Sequence, residues 1–408
     1  MNKKIMLLII ALIILLIAGF IVYKKVYSKP NEIDVEIAAN FDQNFVRLVN
    51  RDYKDNWLIS PYSIKVALNM LKEGANNNTF NEIDTVLNKS SIKEIDNPNI
   101  KIANGIFISN RVKDTVLNTF TNTIKSKYSG EVIYDNFQSP DVINNWVNEH
   151  TDKMIPKIMN NIDPYFVMGI ANAIAIDVKW KYQFECELTN EETFTKKDNK
   201  TMKVEMMHHT YESSDVKYFD NEKLTGIILP YKEDTNLEFI GFLPKENIDS
   251  YLFNLDISKL DDIIQNATEA SNKLHINLSL PRFKYDFDLE NFKKDLTELG
   301  MKDAFNPIEA DFSNMFTKEK LKEANVYVYE AIHKTAIDLN ETGTKAAAVT
   351  FFGMKDAAAF IKPDFKTIDI EFNKTFAYVI REKTTKDILF FGVVNTPNKW
   401  NGSTCKEA

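Results

Sequence analysis

Apolar and polar positions alternate with a period of two through much of the second half of the chain. Leu274, Ile276, Leu278 and Leu280 are separated by His275, Asn277 and Ser279, the pattern of a strand buried on one face. Residues 226–231 and 237–244 are apolar runs on either side of a charged turn, and residues 388–394 form a continuous apolar run near the end. Such short unbroken runs fit strands covered on both faces. Residues 331–339, 368–372 and 376–380 read as further strands. The first half is written differently. Ser60 precedes Pro61, a good N-cap ahead of a proline at the first helical position, and Ile64, Ala67, Leu68 and Leu71 then form one apolar face that Gly74 closes. Ser139-Pro140 repeats that start before Ile143, Trp146 and Val147. Leu289, Phe292, Leu296 and Leu299, followed by Gly300, make another amphipathic helix. Helices gather early and strands late, which predicts an α+β fold rather than regular βαβ winding. No internal repeat or low-complexity linker divides residues 33–397, so they are read as one domain, with residues 398–408 as a tail.

One stretch breaks the pattern. Between the strands at 331–339 and 368–372 lie about 25 residues without strong helix punctuation, longer than a compact domain tolerates in an idle loop. Yet the first part of this stretch is itself written as a strand. Thr344, Ala346, Ala348, Thr350, Phe352 and Met354 fall on one face, small at one end and large at the other. Lys345, Ala347, Val349, Phe351, Gly353 and Lys355 fall on the opposite face, with both lysines outward. A surface loop, or an Ala-rich helical turn around residues 346–348, is the plainer reading of the same residues.

Residues 5–23 are nineteen uncharged, mostly apolar positions, preceded by the short tail 1–4 with Lys3 and Lys4 and followed by Lys24, Lys25 and Lys29 in a linker, 24–32. As a helix they would extend roughly 28 Å, enough to cross a bilayer's hydrocarbon core. A cleaved signal peptide is the competing reading. The apolar run is long for one, and no small-x-small site follows it, so an uncleaved anchor is the expectation. The flanking lysines are balanced and do not set the orientation.

Composition narrows the function by exclusion. A 44% hydrophobic and 12% aromatic content supports a sizeable core. A net charge of −8 with interspersed acids and lysines argues against a nucleic-acid partner, which needs a basic stripe. There is no Gly-rich phosphate loop, no Gly-x-Ser-x-Gly elbow and no His-Glu-x-x-His helix. The adjacent His208 and His209 would point apart on a strand, so no metal is expected there. Cys186 has no CxxC partner and no obvious base, and it is read as a structural thiol. Together with Cys405 it is too little for a disulfide framework. No catalytic constellation and no cofactor site emerges, so the expectation is a protein that is not an enzyme.

The order of several blocks resembles one family, the serpins, protease inhibitors of the loop-inserting type. Asn56 with Ile59-Ser60-Pro61-Tyr62-Ser63-Ile64 and Ala67-Leu68-x-Met70 is similar to the family's early helix. Ala103-Asn104-x-Ile106-Phe107, Ile143-Asn144-x-Trp146-Val147 and Asn172-Ala173 through Lys179-Trp180 to Phe184 match later blocks. Leu280-Pro281-Arg282-Phe283, Leu299-Gly300-Met301 and Ala310-Asp311-Phe312-Ser313 follow. His333-Lys334 and then Asn340-Glu341-x-Gly343-Thr344 with its alanines resemble the family's hinge, and Ile388-Leu389-Phe390-Phe391-Gly392 its closing strand.

That resemblance implies three β-sheets, eight to nine helices and an exposed reactive-centre loop, preceded here by one N-terminal transmembrane helix. It implies a serine-type endopeptidase inhibitor that acts as a suicide substrate. The loop is cleaved, the hinge half (Glu341, Gly343, Thr344, Ala346, Ala347, Ala348) inserts into the main sheet, and the acyl-protease is trapped. Counting as the family does, seventeen residues into the segment that begins at Glu341, the scissile bond is Ala357-Ala358. Cleavage after Met354, Lys355 or Phe360 remains an alternative. The loop's length suits a bacterial-like member, and the small residue before the bond suits an elastase-like or subtilisin-like serine protease, or a cysteine protease. Thr342, Lys345, Val349 and Thr375 depart from the family's usual residues without adding charge or bulk to the inward face. Ser60, Ser63, Asn172 and His333 correspond to a hydrogen-bonded gate beneath the main sheet, with His333 a satisfied core histidine. The resemblance implies a monomer, tethered by residues 5–23 with its domain outside the cell, or secreted if that segment is cleaved. A non-inhibitory surface-binding or chaperone-like member of the same fold is the alternative function.

Overall fold

The computed structural model describes residues 40–88, 92, 95, 97, 100–323, 326–329, 331–344 and 365–401. Residues 5–23 and 345–364, and with them the proposed anchor and Ala346, Ala347, Ala348, Ala357 and Ala358, lie outside the described residues. Among the described residues there are nine α-helices, and none is long and apolar enough to cross a membrane.

Capping residues set the early helices. Asn40 caps the helix Phe41–Asp52 by accepting from the Gln43 amide at 3.0 Å. Ser60 caps Pro61–Gly74 by accepting from Ser63 N at 3.2 Å, with the proline where the missing N–H does no harm. Gly74 remains inside this helix and Ala75 caps it. The start expected at Ser139 shifts by one residue. Pro140 takes the N-cap position of Asp141–His150 and offers no side-chain acceptor, while the Ser139 hydroxyl donates to the Asp141 carboxylate at 2.8 Å. The helix Phe292–Glu298 ends where Gly300 takes φ +114°, a conformation L side chains rarely adopt.

The strands form four hydrogen-bonded groups, two of which the chain joins through Asp177 into one sheet, giving three sheets among the described residues. The first runs in the order Trp57–Ile59, Ile388–Val394, Phe376–Glu382, Leu237–Pro244, Leu224–Pro230, Lys217–Asp220, Thr268–Glu269. The second is Lys366–Glu371, Leu274–Pro281, Thr201–Tyr211, Asn190–Thr195. The third begins Glu131–Asp135, Ile100–Ser109, Met168–Ile176. After Asp177 the last of these continues as Val178–Lys179, which leads across Gly343–Thr344 to Lys334–Leu339 and Phe283–Asp288.

The helix Pro61–Gly74 packs against both Met168–Ile176 and Ile388–Val394, joining the first and third sheets through its apolar stripe. The chain's two ends of the fold are tied by Asn56, whose side-chain oxygen accepts from Asn395 N and Thr396 N, each at 2.7 Å. The alternation of Leu274–Pro281 breaks at His275. Its ring is only 7% exposed because Phe365 stacks on it at 3.6 Å.

Candidate functional site

In the third sheet, among the described residues, no strand lies between Met168–Ile176 and Lys334–Leu339 beyond Gly343–Thr344, which bridges this gap at one end. In Lys334–Leu339 the odd positions, Thr335, Ile337 and Leu339, are buried, and the strand pairs with Phe283–Asp288. After Leu339 the chain turns. Asn340 Oδ1 accepts from Thr342 N at 3.0 Å and from the Thr342 hydroxyl at 2.7 Å, and Asn340 N donates to Gly343 O at 3.0 Å. Gly343 and Thr344 then lie between Leu339 on one side and Val178–Lys179 on the other. A Cβ on Gly343 would sit 2.0 Å from the Val178 carbonyl oxygen, so only glycine fits this approach.

Thr344 is 1% exposed and its hydroxyl meets that of Tyr231 at 2.6 Å. Tyr231 is stacked on Trp180 at 4.5 Å, and the Trp180 indole donates to Asn340 O at 2.9 Å. Backbone bonds from Trp180 N to Thr342 O, 2.9 Å, and Phe184 N to Glu341 O, 3.0 Å, complete the frame.

Glu341, expected as the first residue of the hinge, is buried. Arg282 Nε donates to its two oxygens at 2.8 and 2.7 Å, Arg282 Nη2 lies 2.6 Å from Oε1, and the Thr189 hydroxyl donates to it as well. Arg282 also reaches Glu205 at 3.5 Å. Burial opposes the guanidinium charge, but the hydrogen bonds it donates to Glu341 and the two carboxylate charges outweigh it and hold the group above its usual value. Cys186 Sγ accepts from Arg282 Nη2 at 3.8 Å. Cys186 is disulfide-bonded rather than a thiol, and Cys405, the other cysteine of the sequence, lies outside the described residues. Nothing in the local sequence signals the Arg282–Glu341 pair, whose members are 59 positions apart.

Beneath the gap, His333 Nε2 accepts from the Ser60 amide at 3.1 Å while Ser60 Oγ accepts from Ser63 N. Burial lowers the His333 pKa to about 3, so the ring is neutral, with its proton on Nδ1. The predicted cluster thus comes together for Ser60, Ser63 and His333. Asn172 sits on the neighbouring strand opposite Asn104, and its side chain lies outside the described residues. His208 faces Glu192 at 3.1 Å, whereas His209 packs on Tyr211 and Phe184, so the two rings diverge. Among the described residues no group of histidines, cysteines and carboxylates could hold a metal ion.

The family model described as Serpin (serine protease inhibitor) matches residues 36–397. A serpin-like protein of Methanosarcina mazei is 31% identical over 382 residues, covering 86% of this chain and 84% of that protein. The leukocyte elastase inhibitor of Xenopus tropicalis is 28% identical, covering 88% of this chain and 98% of its own length. Among solved structures, the thermophilic serpin tengpin in its native state superposes with a TM-score of 0.74 at 30% identity, covering 90% of this chain and 95% of that one.

Proposed function

The chain belongs to the serpin family, and from that premise we propose that it is a suicide-substrate inhibitor of a serine-type endopeptidase. The protease serine attacks the carbonyl carbon of Ala357, the peptide bond to Ala358 breaks, and the new amine takes up the proton the serine gave away. The ester left on Ala357 is carried off when the segment from Thr344 onward enters the third sheet, so deacylation by water is stalled. Glu341 holds the pivot, Gly343 and Thr344 start the strand, Ala346, Ala347 and Ala348 slip in behind them, and Ser60, Ser63, Asn172 and His333 form the gate the strands part over.

The observation that carries this reading is the Gly343–Thr344 pair, already hydrogen-bonded between Leu339 and Val178–Lys179. A strand begun between two others needs only to be lengthened, a β-strand addition within one chain. The inward side chain at its start, Thr344, is small and its hydroxyl is satisfied. The alanine before the scissile bond, together with the name of the frog relative, favours a target with a shallow apolar specificity pocket. Residues 5–23 would tether the domain to a membrane, facing outward.

The test is incubation of residues 30–408 with elastase-like and subtilisin-like proteases. A complex that survives boiling in SDS supports the reading; only cleaved chain, from a panel of serine and cysteine proteases, counts against it. Cell fractionation of the full chain tests the tether, and a soluble product starting beyond residue 25 would replace it with a cleaved signal.

A further inference from the structure

Away from the third sheet, a serine, a histidine and a carboxylate meet on the second. Glu192, His208 and Ser279 come from three neighbouring strands, Asn190–Thr195, Thr201–Tyr211 and Leu274–Pro281. His208 and Ser279 are direct partners across an antiparallel ladder. The Ser279 hydroxyl lies 3.0 Å from His208 Nδ1, and His208 Nε2 lies 3.1 Å from Glu192 Oε1. Alternation places Ser279 and Asn277 on the outer face of their strand, opposite the buried Ile276, Leu278 and Leu280. The His208 and Glu192 side chains are 26% and 40% exposed, so a small molecule can reach them.

These contacts decide which way the protons run. A carboxylate only accepts, so the nitrogen facing Glu192, Nε2, is the one that carries hydrogen. Nδ1 is then the basic nitrogen, and it accepts from the Ser279 hydroxyl. A hydroxyl within hydrogen-bond reach of a base, with that base faced by a third group, is the arrangement of an activated nucleophile. The approach of Nε2 to Glu192 is close but not aligned as a hydrogen bond. Contacts of this kind often tighten only once substrate is bound.

The surroundings limit what such a serine can attack. Leu274–Pro281 is paired on both edges, so its amides are committed to the ladders and do not cradle a developing oxyanion. Glu371 sits directly opposite Ser279 on the strand Lys366–Glu371, and Asp369 opposite Asn277. Both are exposed, and their charges disfavour anionic substrates. What remains are neutral or cationic esters whose leaving group departs readily.

We infer that Ser279 is a nucleophile for activated esters, with His208 as its general base and Glu192 as a positioning residue. Ser279 Oγ bonds to the ester carbonyl carbon while its proton passes to His208 Nδ1. The bond from that carbon to the leaving oxygen breaks, and the leaving alcohol takes the proton from Nδ1. Water then repeats the sequence on the acyl-serine, releasing the carboxylic acid and restoring the hydroxyl. This activity needs no loop cleavage and does not rest on the inhibitory reading.

The test treats the full chain with an uncharged fluorophosphonate, which forms a serine O–P bond with loss of fluoride, and maps the adduct by peptide mass. The adduct is expected on Ser279, and p-nitrophenyl acetate should release nitrophenol faster than in buffer alone, a gain that Ser279→Ala loses. His208→Gln should slow labelling by at least about 100-fold, the lower end for a general base. Glu192→Asp, which keeps the charge, should retain more of the rate than Glu192→Gln, which keeps the shape. The reverse order would mean that Glu192 only ties the strands together, and overturns its positioning role. An unlabelled Ser279 in the wild type overturns the proposal without recourse to any variant, and so does labelling that is undiminished in His208→Gln.

Discussion

Arg282 grips Glu341 with three donor contacts of 2.6 to 2.8 Å at the point where the third sheet opens. Glu341 is 6% exposed, and its backbone carbonyl is bonded to Phe184 N, so the carboxylate and the turn it belongs to are held by the same frame. Removing one member of a buried ion pair leaves the other charged and without its partner.

Glu341→Ala should therefore destabilise the intact protein by about 3–5 kcal/mol, read from urea unfolding. Because Arg282 also pairs with the buried Glu205, the compensating variant is Glu341→Ala/Arg282→Met/Glu205→Gln, which removes all three charges and should recover most of that loss. If the single and triple variants were equally destabilised, the ion pair would not be what anchors the turn.

Gly343→Ala addresses the pivot by sterics alone. The new Cβ would meet the Val178 carbonyl oxygen at 2.0 Å, a backbone atom in a paired strand that cannot swing aside. Expected are the loss of the Gly343–Thr344 bridge and a cost of about 1–3 kcal/mol, the usual range for overpacking. Hydrogen exchange of the Val178 and Lys179 amides should quicken while exchange in Phe376–Glu382 stays unchanged. Unaltered protection at 178–179 would show that the bridge tolerates a side chain.

Which parts of this site were legible in the sequence follows from how local their cause is. Of the strand expected at 331–339, residues 334–339 were readable because burial alternates residue by residue, while the face expected to continue from Thr344 lies outside the described residues. Ser60 as a cap was readable because its partner, Ser63 N, is three positions on. The Arg282 clamp, the Tyr231 contact to Thr344 and the burial of His275 under Phe365 all join residues far apart in sequence, and no periodicity records them. The Asp141–His150 start was misplaced by one residue because Ser139, which donates to the Asp141 carboxylate and accepts from Asp141 N at 3.4 Å, lies one position ahead of the N-cap Pro140. Cys186 was read as a thiol because one cysteine without a motif says nothing of its partner.

His333 should make the fold sensitive to acid. Its native pKa is lowered to about 3 by burial from an ordinary 6.5. Between those values the unfolded chain binds the proton and the native protein does not. Stability contributed by the neutral ring is therefore full above pH 6.5 and is lost as pH falls toward 3, by about 1 kcal/mol per pH unit. His333→Gln, whose amide oxygen can still accept from Ser60 N, should lose this slope while keeping the stability seen at neutral pH within about 1–2 kcal/mol.

Asp295 has the opposite sign. It is 0% exposed on the helix Phe292–Glu298, and neither carboxylate oxygen has a hydrogen-bond partner among the described residues. Burial first, and then the charge of Asp52, raise its pKa from 3.8 to about 7. Between those values the native protein binds the proton and the unfolded chain does not, so this group favours the fold at low pH and opposes it as pH rises through 7. The two buried groups thus pull against each other between about pH 4 and 6.5, and the wild type should show little net slope there from this pair. Asp295→Asn removes one arm. It should be more stable than wild type at pH 8 by about 1 kcal/mol or more and show no such gain at pH 4.5. With only His333 left of the two, its stability should also fall more steeply on acidification than that of the wild type. Parallel stability curves for Asp295→Asn and the wild type from pH 4.5 to 8 would mean that Asp295 does not titrate in this range in the folded protein.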